Sequence, residues 1–202
     1  MQTTIYKTAY EDPATRRAWR GHMARRILRL VLWIIAFPGF VFAAVMTPVW
    51  TVAIFVPLLG TSCYQWLVSI AHIGFSLRIR RTLRVYPWQP FPDAVEKLGV
   101  PLLRLSLPDP ETPGAMVAID KRGTLASPWG LWEKSAKKGA VGEVWFAGDP
   151  RFAGVLALPG PKRLTLLTQP ETYNSDLPAR AEGIGPEARA RAEAAGFRVG
   201  GA

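Results

Sequence analysis

Cysteine occurs once in this 202-residue chain, as Cys63, and histidine twice, as His22 and His72. One thiol makes no intramolecular disulfide and no cysteine-based metal cluster. The histidines stand 50 positions apart with no carboxylate between them, so no zinc or iron ligand set is expected. Beyond His72 no further histidine follows to serve a Ser, Thr or Tyr hydroxyl as base, which excludes a Ser-His arrangement from that part of the chain. Neither Gly-x-Gly-x-x-Gly nor the P-loop pattern occurs, and residues 182–186 are only loop-like. No cofactor, no metal site and no enzymatic activity are expected.

The largest absence is of charge. Residues 30–77, 48 in a row, contain no Asp, Glu, Lys or Arg. At about 1.5 Å rise per residue, a helix crosses the roughly 30 Å hydrocarbon layer of a bilayer in about 20 residues, so this run suffices for two crossings. The first is expected over 27–46, with Trp33 near an interface and Pro38-Gly39 in mid-helix. There the cost of unpaired backbone in lipid favours a kinked but continuous helix. Gly39 and Ala43 are four apart, a spacing that lets a partner backbone approach. Residues 46–50 form the turn, and the second crossing runs over 51–77. A cleaved leader over 25–44 is not expected, because the charged region before it is long, no small-x-small cleavage site follows, and a second apolar segment comes directly after.

The excess of positive charge lies at the edges of this run. The chain carries a formal +10, with a pI near 10.3. Lys7, Arg16, Arg17, Arg20, Arg25, Arg26 and Arg29 precede the run against only Glu11 and Asp12, and Arg78, Arg80, Arg81 and Arg84 follow it at once. Nucleic-acid binders spread Lys and Arg over a folded face with aromatics between them, so this placement points to membrane topology and anionic headgroups instead. No nucleic-acid partner is expected. By the positive-inside rule both termini are cytoplasmic, at the inner (plasma) membrane. A re-entrant hairpin is the alternative, since the far-side loop is short and uncharged. Arg25, Arg26, Arg29, Arg78, Arg80, Arg81 and Arg84 are the candidate contacts to anionic lipid.

Within the second crossing, Thr61, Gln65, Ser69, His72 and Ser76 follow at steps of four, four, three and four, one face of a helix. Two readings stand. The stripe lines a polar path, with His72 as the group that titrates near neutral pH; or its hydroxyls and amide bond across to the first helix or to a second copy.

From residue 78 the composition becomes that of a small globular domain. Asp12-Pro13 caps a helix from about residue 14. Strands are expected over 83–86, 102–107, 115–119, 143–146, 153–158 and 163–167, with 142–167 a three-strand meander around turns at Gly148-Asp149-Pro150-Arg151 and Gly160-Pro161-Lys162. Helices are expected over 92–98, over 127–138, where Trp129, Leu131 and Trp132 meet Lys134, Lys137 and Lys138, and over 186–195. Asp109, Glu111, Asp120 and Asp149 are the carboxylates to consider for hydrolysis, although such residues usually solvate turns. Asp149 beside Arg151 is expected to stabilise its turn.

The fold class is thus a membrane α-helical hairpin of two transmembrane helices plus a small α+β, mainly antiparallel β cytoplasmic domain. Its parts are a basic amphipathic segment (1–26), the hairpin (27–77), the β-rich domain (78–170) and a mobile tail (171–202). The function expected is a non-enzymatic interaction, scaffold or accessory subunit, its partners anionic lipid and a membrane or cytoplasmic protein, with a second copy also allowed. The alternative is a subunit of an oligomeric channel or transporter using the polar stripe.

The segment Val144-Trp145-Phe146-Ala147-Gly148-Asp149-Pro150-Arg151-Phe152-Ala153-Gly154-Val155, followed by Leu158-Pro159-Gly160 and placed after Tyr86-Pro87-Trp88, resembles uncharacterised small integral membrane proteins of high-GC actinobacteria. The resemblance covers about residues 25–170. It implies a two-helix anchor joined to a cytoplasmic domain and carries over no activity and no site residue.

Overall fold

Asp12 starts the first helix with its side chain. Its Oδ1 accepts the Ala14 N–H and its Oδ2 the Thr15 N–H, each at 3.0 Å, while Pro13 holds the first helical position, where a missing N–H costs nothing. A computed structural model describes residues 7–48, 52–92, 95–98, 102–112, 114–119, 143–168 and 184–197. In it α1 (Pro13–Met46) and α2 (Val52–Val85) are each 34 residues long and unbroken through Pro38 and Pro57. Both are long and apolar enough to cross a membrane, by length and composition. Seven antiparallel strands and a short C-terminal helix, α3 (Pro186–Ala194), complete the described elements. The chain divides into two compact units, Arg20–Leu77 and, together, Met1–Trp19 with Arg78–Ala202. Of the segment read from sequence as basic and amphipathic (1–26), the part up to Trp19 falls in the second of these units and the part from Arg20 in the first.

The described elements of the Arg20–Leu77 unit are stretches of α1 and α2. On α2, Ser62, Ser69 and Ser76 are buried at seven-residue steps, with half-buried Gln65 and His72 between them. On α1, Leu30, Trp33, Phe37, Phe40 and Ala44 are half-buried at steps of three and four. Alternating three and four is the spacing of a left-handed helix seam. The small buried serines make a shallow trough along α2. Elsewhere in the uncharged run both helices expose large apolar side chains, among them Ile35, Phe42, Val45 and Leu67. The Ser69 hydroxyl donates to the Gln65 carbonyl of its own helix at 2.7 Å, so we expect Ser69→Ala to change stability by less than about 0.5 kcal/mol. Ser69→Leu, overfilling the trough, should cost about 1–3 kcal/mol. Thermal unfolding of the full chain in mild detergent separates the two outcomes.

In the other unit the ends of the helices are tied together. The Ala9 N–H donates to the Tyr86 carbonyl (2.9 Å), the Tyr10 N–H to the Leu83 carbonyl (2.8 Å), and the Trp88 indole N–H to the buried Thr15 hydroxyl (2.8 Å). Residues 83–85, expected as a strand, are instead the last turn of α2. Their β-branched and leucine content suits either state, and Ile79 and Leu83 are buried one turn apart on the helix.

Two sheets follow. One has the order β1 (Gln89–Pro92), β5 (Glu143–Asp149), β6 (Ala153–Leu158), β7 (Lys162–Thr168), the other β2 (Val95–Leu98), β3 (Leu102–Pro108), β4 (Met116–Ile119). The helix expected over 92–98 is corrected to strand β2, because the tight register with β3, from Leu98↔Leu102 to Val95↔Leu105, supplies partners that outweigh local helix propensity. β1 carries Pro90 and Pro92, which a strand tolerates at the edge of a sheet, and β1 is an edge. The meander β5–β6–β7 forms as expected. The helix expected over 127–138, with its tryptophans and lysines, lies outside the described residues, as does Asp120. The core joins both sheets: Leu107 of β3 with Val144, Phe146, Leu156 and Leu167, flanked by Phe91 and Leu158.

α3 ends in a Schellman motif, with the Phe197 N–H on the Ala192 carbonyl and the Gly196 N–H on the Glu193 carbonyl, Gly196 taking the positive φ of 84° that this ending needs. Ala192, Ala195 and Phe197 are buried. The stretch expected as mobile tail thus contains a packed helix.

Candidate functional site

The polar stripe is divided by the helix it lies on. Ser69 and Ser76 are buried, Gln65 and His72 half-buried, and Thr61 is exposed, its hydroxyl on the Pro57 carbonyl at 2.7 Å. Ser62, one position on, takes the buried place. Its seven-residue spacing to Ser69 and Ser76 was the signal that steps of three and four from Thr61 overlooked. The serine hydroxyls bond back to carbonyls of their own helix: Ser62 to Leu59, Ser69 to Gln65, Ser76 to His72.

The arginines fall into two sets, one in each unit. In the Arg20–Leu77 unit, Arg25 and Arg29 are exposed and Arg26 half-buried, the Arg25 Nε donating to the Gly21 carbonyl at 3.1 Å. In the other unit Arg78, Arg81 and Arg84 are exposed and Arg80 half-buried. The Arg80 guanidinium lies 5.5 Å from the Tyr10 ring centroid and 5.0 Å from that of Trp19, and Arg84 lies 5.3 Å from Tyr10. Tyr10 and Trp19 meet edge to face at 6.1 Å. The aromatic pair was not singled out from sequence, since Tyr10 and Arg80 lie 70 residues apart and meet in the fold, where backbone bonds tie Ala9 to Tyr86 and Tyr10 to Leu83.

A second cluster centres on Arg151. In the β5–β6 turn the Phe152 N–H closes on the Asp149 carbonyl at 3.1 Å, and the Asp149 side chain accepts the Arg151 N–H at 2.9 Å. The Arg151 guanidinium then grips Asp149 with two bonds, Nε to Oδ1 at 3.0 Å and Nη2 to Oδ2 at 2.7 Å. Its Nη1 donates to Glu111 at 2.7 Å, with Asp109 at 3.9 Å, and the other Glu111 oxygen accepts the Gly185 N–H at the start of α3. One guanidinium therefore joins the β5–β6 turn, the β3–β4 loop and α3. Asp109, Glu111 and Asp149, scattered in sequence, do converge, but on a cation. The hydrogen bond from Arg151 holds the Glu111 carboxyl below its ordinary range, and the bonds to Asp149 raise Arg151 further. Among the described residues no three His, Cys, Asp or Glu side chains are placed to hold a metal ion.

Beside this cluster is a half-open cleft of about 540 Å³ lined by Tyr86, Gln89, Glu111, Asp149, Arg151, Glu187 and Arg191 among others. The Tyr86 hydroxyl is buried without a hydrogen-bond partner among the described residues. Burial, and then the nearby Asp149 carboxylate, push it up to about 12. The raised value means that stability is complete below about pH 10, the phenol's ordinary value, and declines as pH rises through about 12. Removing an unpaired buried hydroxyl relieves a desolvation cost, so Tyr86→Phe should raise stability by about 1 kcal/mol and flatten this alkaline decline. A lower melting temperature in the variant would contradict this.

The chain matches no protein-family model, and comparison with curated proteins and with solved structures gives no match.

Proposed function

We propose that the chain is an integral membrane protein in which α1 and α2 cross the bilayer as a hairpin and hold the β-rich domain on the cytoplasmic side as a non-enzymatic interaction or accessory module. The observation that carries this reading is the outward surface of both helices. Ile35, Phe42, Val45 and Leu67 are each at least 64% exposed in a stretch without charge. Soluble proteins do not leave contiguous apolar faces of this extent in water. Each helix is about 50 Å long, against a hydrocarbon layer of about 30 Å, which leaves roughly 20 Å beyond the lipid at the arginine-bearing ends. Arginines at both of those ends favour the cytoplasm by the positive-inside rule.

The commitment of Asp149 and Glu111 to Arg151 supports an interaction role over catalysis. The channel reading draws less support, because the serine hydroxyls of α2 are buried and donate to their own backbone. Extraction of isolated membranes is the test. The chain should remain with the membrane in high salt and in alkaline carbonate and leave only in detergent; release by carbonate would refute the reading.

A further inference from the structure

Residues 13–92 contain ten arginines and no Asp or Glu. Arg80 and Arg84 are four apart on α2, a spacing at which like charges on one helix face repel. Both are nevertheless gathered at the Tyr10 ring, 5.5 and 5.3 Å from its centroid, and Arg80 is braced a second time by Trp19 at 5.0 Å. Tyr10 is itself fixed by its backbone bond to the Leu83 carbonyl and its edge contact with Trp19. Among the described residues no carboxylate is within ion-pair distance of either guanidinium, and the buried Nε of Arg80 has no acceptor. The fold holds two cations together, restricts them with aromatic faces, and among the described residues leaves their charge unanswered. An anion relieves that arrangement.

Position along the helix says which anion. Arg80 and Arg84 follow Leu77, the last residue of the uncharged run, by three and seven residues, or about 4.5 Å and about 10 Å of helix rise. The headgroup layer is about 5–8 Å thick on each side of the hydrocarbon, so long arginine side chains at these positions reach the level of lipid phosphates. We infer that Arg80 and Arg84, braced by Tyr10 and Trp19, form a binding site for the phosphate of an anionic phospholipid. This rests on the membrane reading proposed above. A planar guanidinium fork meets two phosphate oxygens at once, which an ammonium does not, and stacking on aromatic faces removes side-chain freedom before the ligand arrives. Free phosphate shares this chemistry; the place of Arg80 and Arg84 just after the uncharged run favours the lipid.

Native mass spectrometry of the full chain in mild detergent, titrated with phosphatidylglycerol or phosphatidylcholine, tests the assignment. Arg80→Lys combined with Arg84→Lys keeps both charges and the general attraction to an anionic surface but removes fork and stack. The variant should bind phosphatidylglycerol about tenfold more weakly, while Arg25→Lys with Arg29→Lys changes binding by less than about twofold. Phosphatidylcholine binding should be unchanged in both. Equal effects of the two pairs, or no preference between the lipids in the unaltered chain, would overturn the site. Displacement of phosphatidylglycerol by excess inorganic phosphate would assign it to free phosphate instead. A chain released by carbonate overturns the membrane reading and this site with it; an inserted chain without lipid preference overturns the site alone.

Discussion

Arg151→Met should lower the stability of the domain by about 3–5 kcal/mol, the cost of breaking a buried ion pair from one side. Arg151 and Asp149 are 8% and 5% exposed, so the methionine leaves a desolvated carboxylate without its two bonds. It also frees Glu111 from the bond that, with Gly185, links the β3–β4 loop to α3. Typical domains have about 5–15 kcal/mol in all, so the variant stands near the limit of folding. The pH dependence gives a second signature. In the unaltered chain Glu111 is held below its ordinary value, so its contribution is present above about pH 4.3, the unfolded value, and is lost as pH falls through the folded one. In the variant the Arg151 bond is gone, so Glu111's share of this acid decline should disappear. Denaturant midpoints in mild detergent at several pH values measure both. A loss below about 1 kcal/mol would show that the cluster is a surface ornament.

Gly154→Ala should cost at least about 2–3 kcal/mol, at the upper end for adding a methyl group to a packed core. Gly154 pairs with Gly148 across the β5–β6 hairpin, and a Cβ on it would coincide with the ring of Phe146, which is wholly buried among Val144, Leu156 and Leu167. The ring is rigid and enclosed, so the clash cannot be relieved by a flexible side-chain tip. The reciprocal substitution is closed as well: a Cβ on Gly148 would meet the backbone of Ala153 and Gly154. Coupling identifies the cause. In a Phe146→Leu background the penalty of Gly154→Ala should shrink by about 1–2 kcal/mol, whereas independent effects would add. Thermal or denaturant unfolding of the four chains completes the cycle.

The features legible in the sequence are those with local causes. A run of 48 uncharged residues has few folded outcomes, Asp12-Pro13 is a helix start by its own chemistry, and Gly148-Asp149-Pro150-Arg151 turns wherever it is placed. Residues 83–85 and 92–98 were misread because short segments are decided by partners: one continues a helix whose Ile79 and Leu83 are buried, the other finds β3. β1 was missed because Pro90 and Pro92 argue against a strand unless it is known to lie at an edge. The same distinction holds at the sites. The Asp149–Arg151 turn was visible two residues apart, but its link to Glu111 spans 40 positions and that of Arg80 to Tyr10 spans 70, distances over which sequence alone carries no geometry. Tyr86 gave no signal, since an unpaired hydroxyl is a property of packing.

The central claim is that α1 and α2 span the membrane as a hairpin with the β-rich domain inside. Protease protection in sealed vesicles of known orientation tests it most directly. In inside-out vesicles the domain from Leu83 to Leu167 should be cut without detergent, and in right-side-out vesicles it should be protected until detergent is added. Protection in inside-out vesicles with cutting in right-side-out ones would contradict the account.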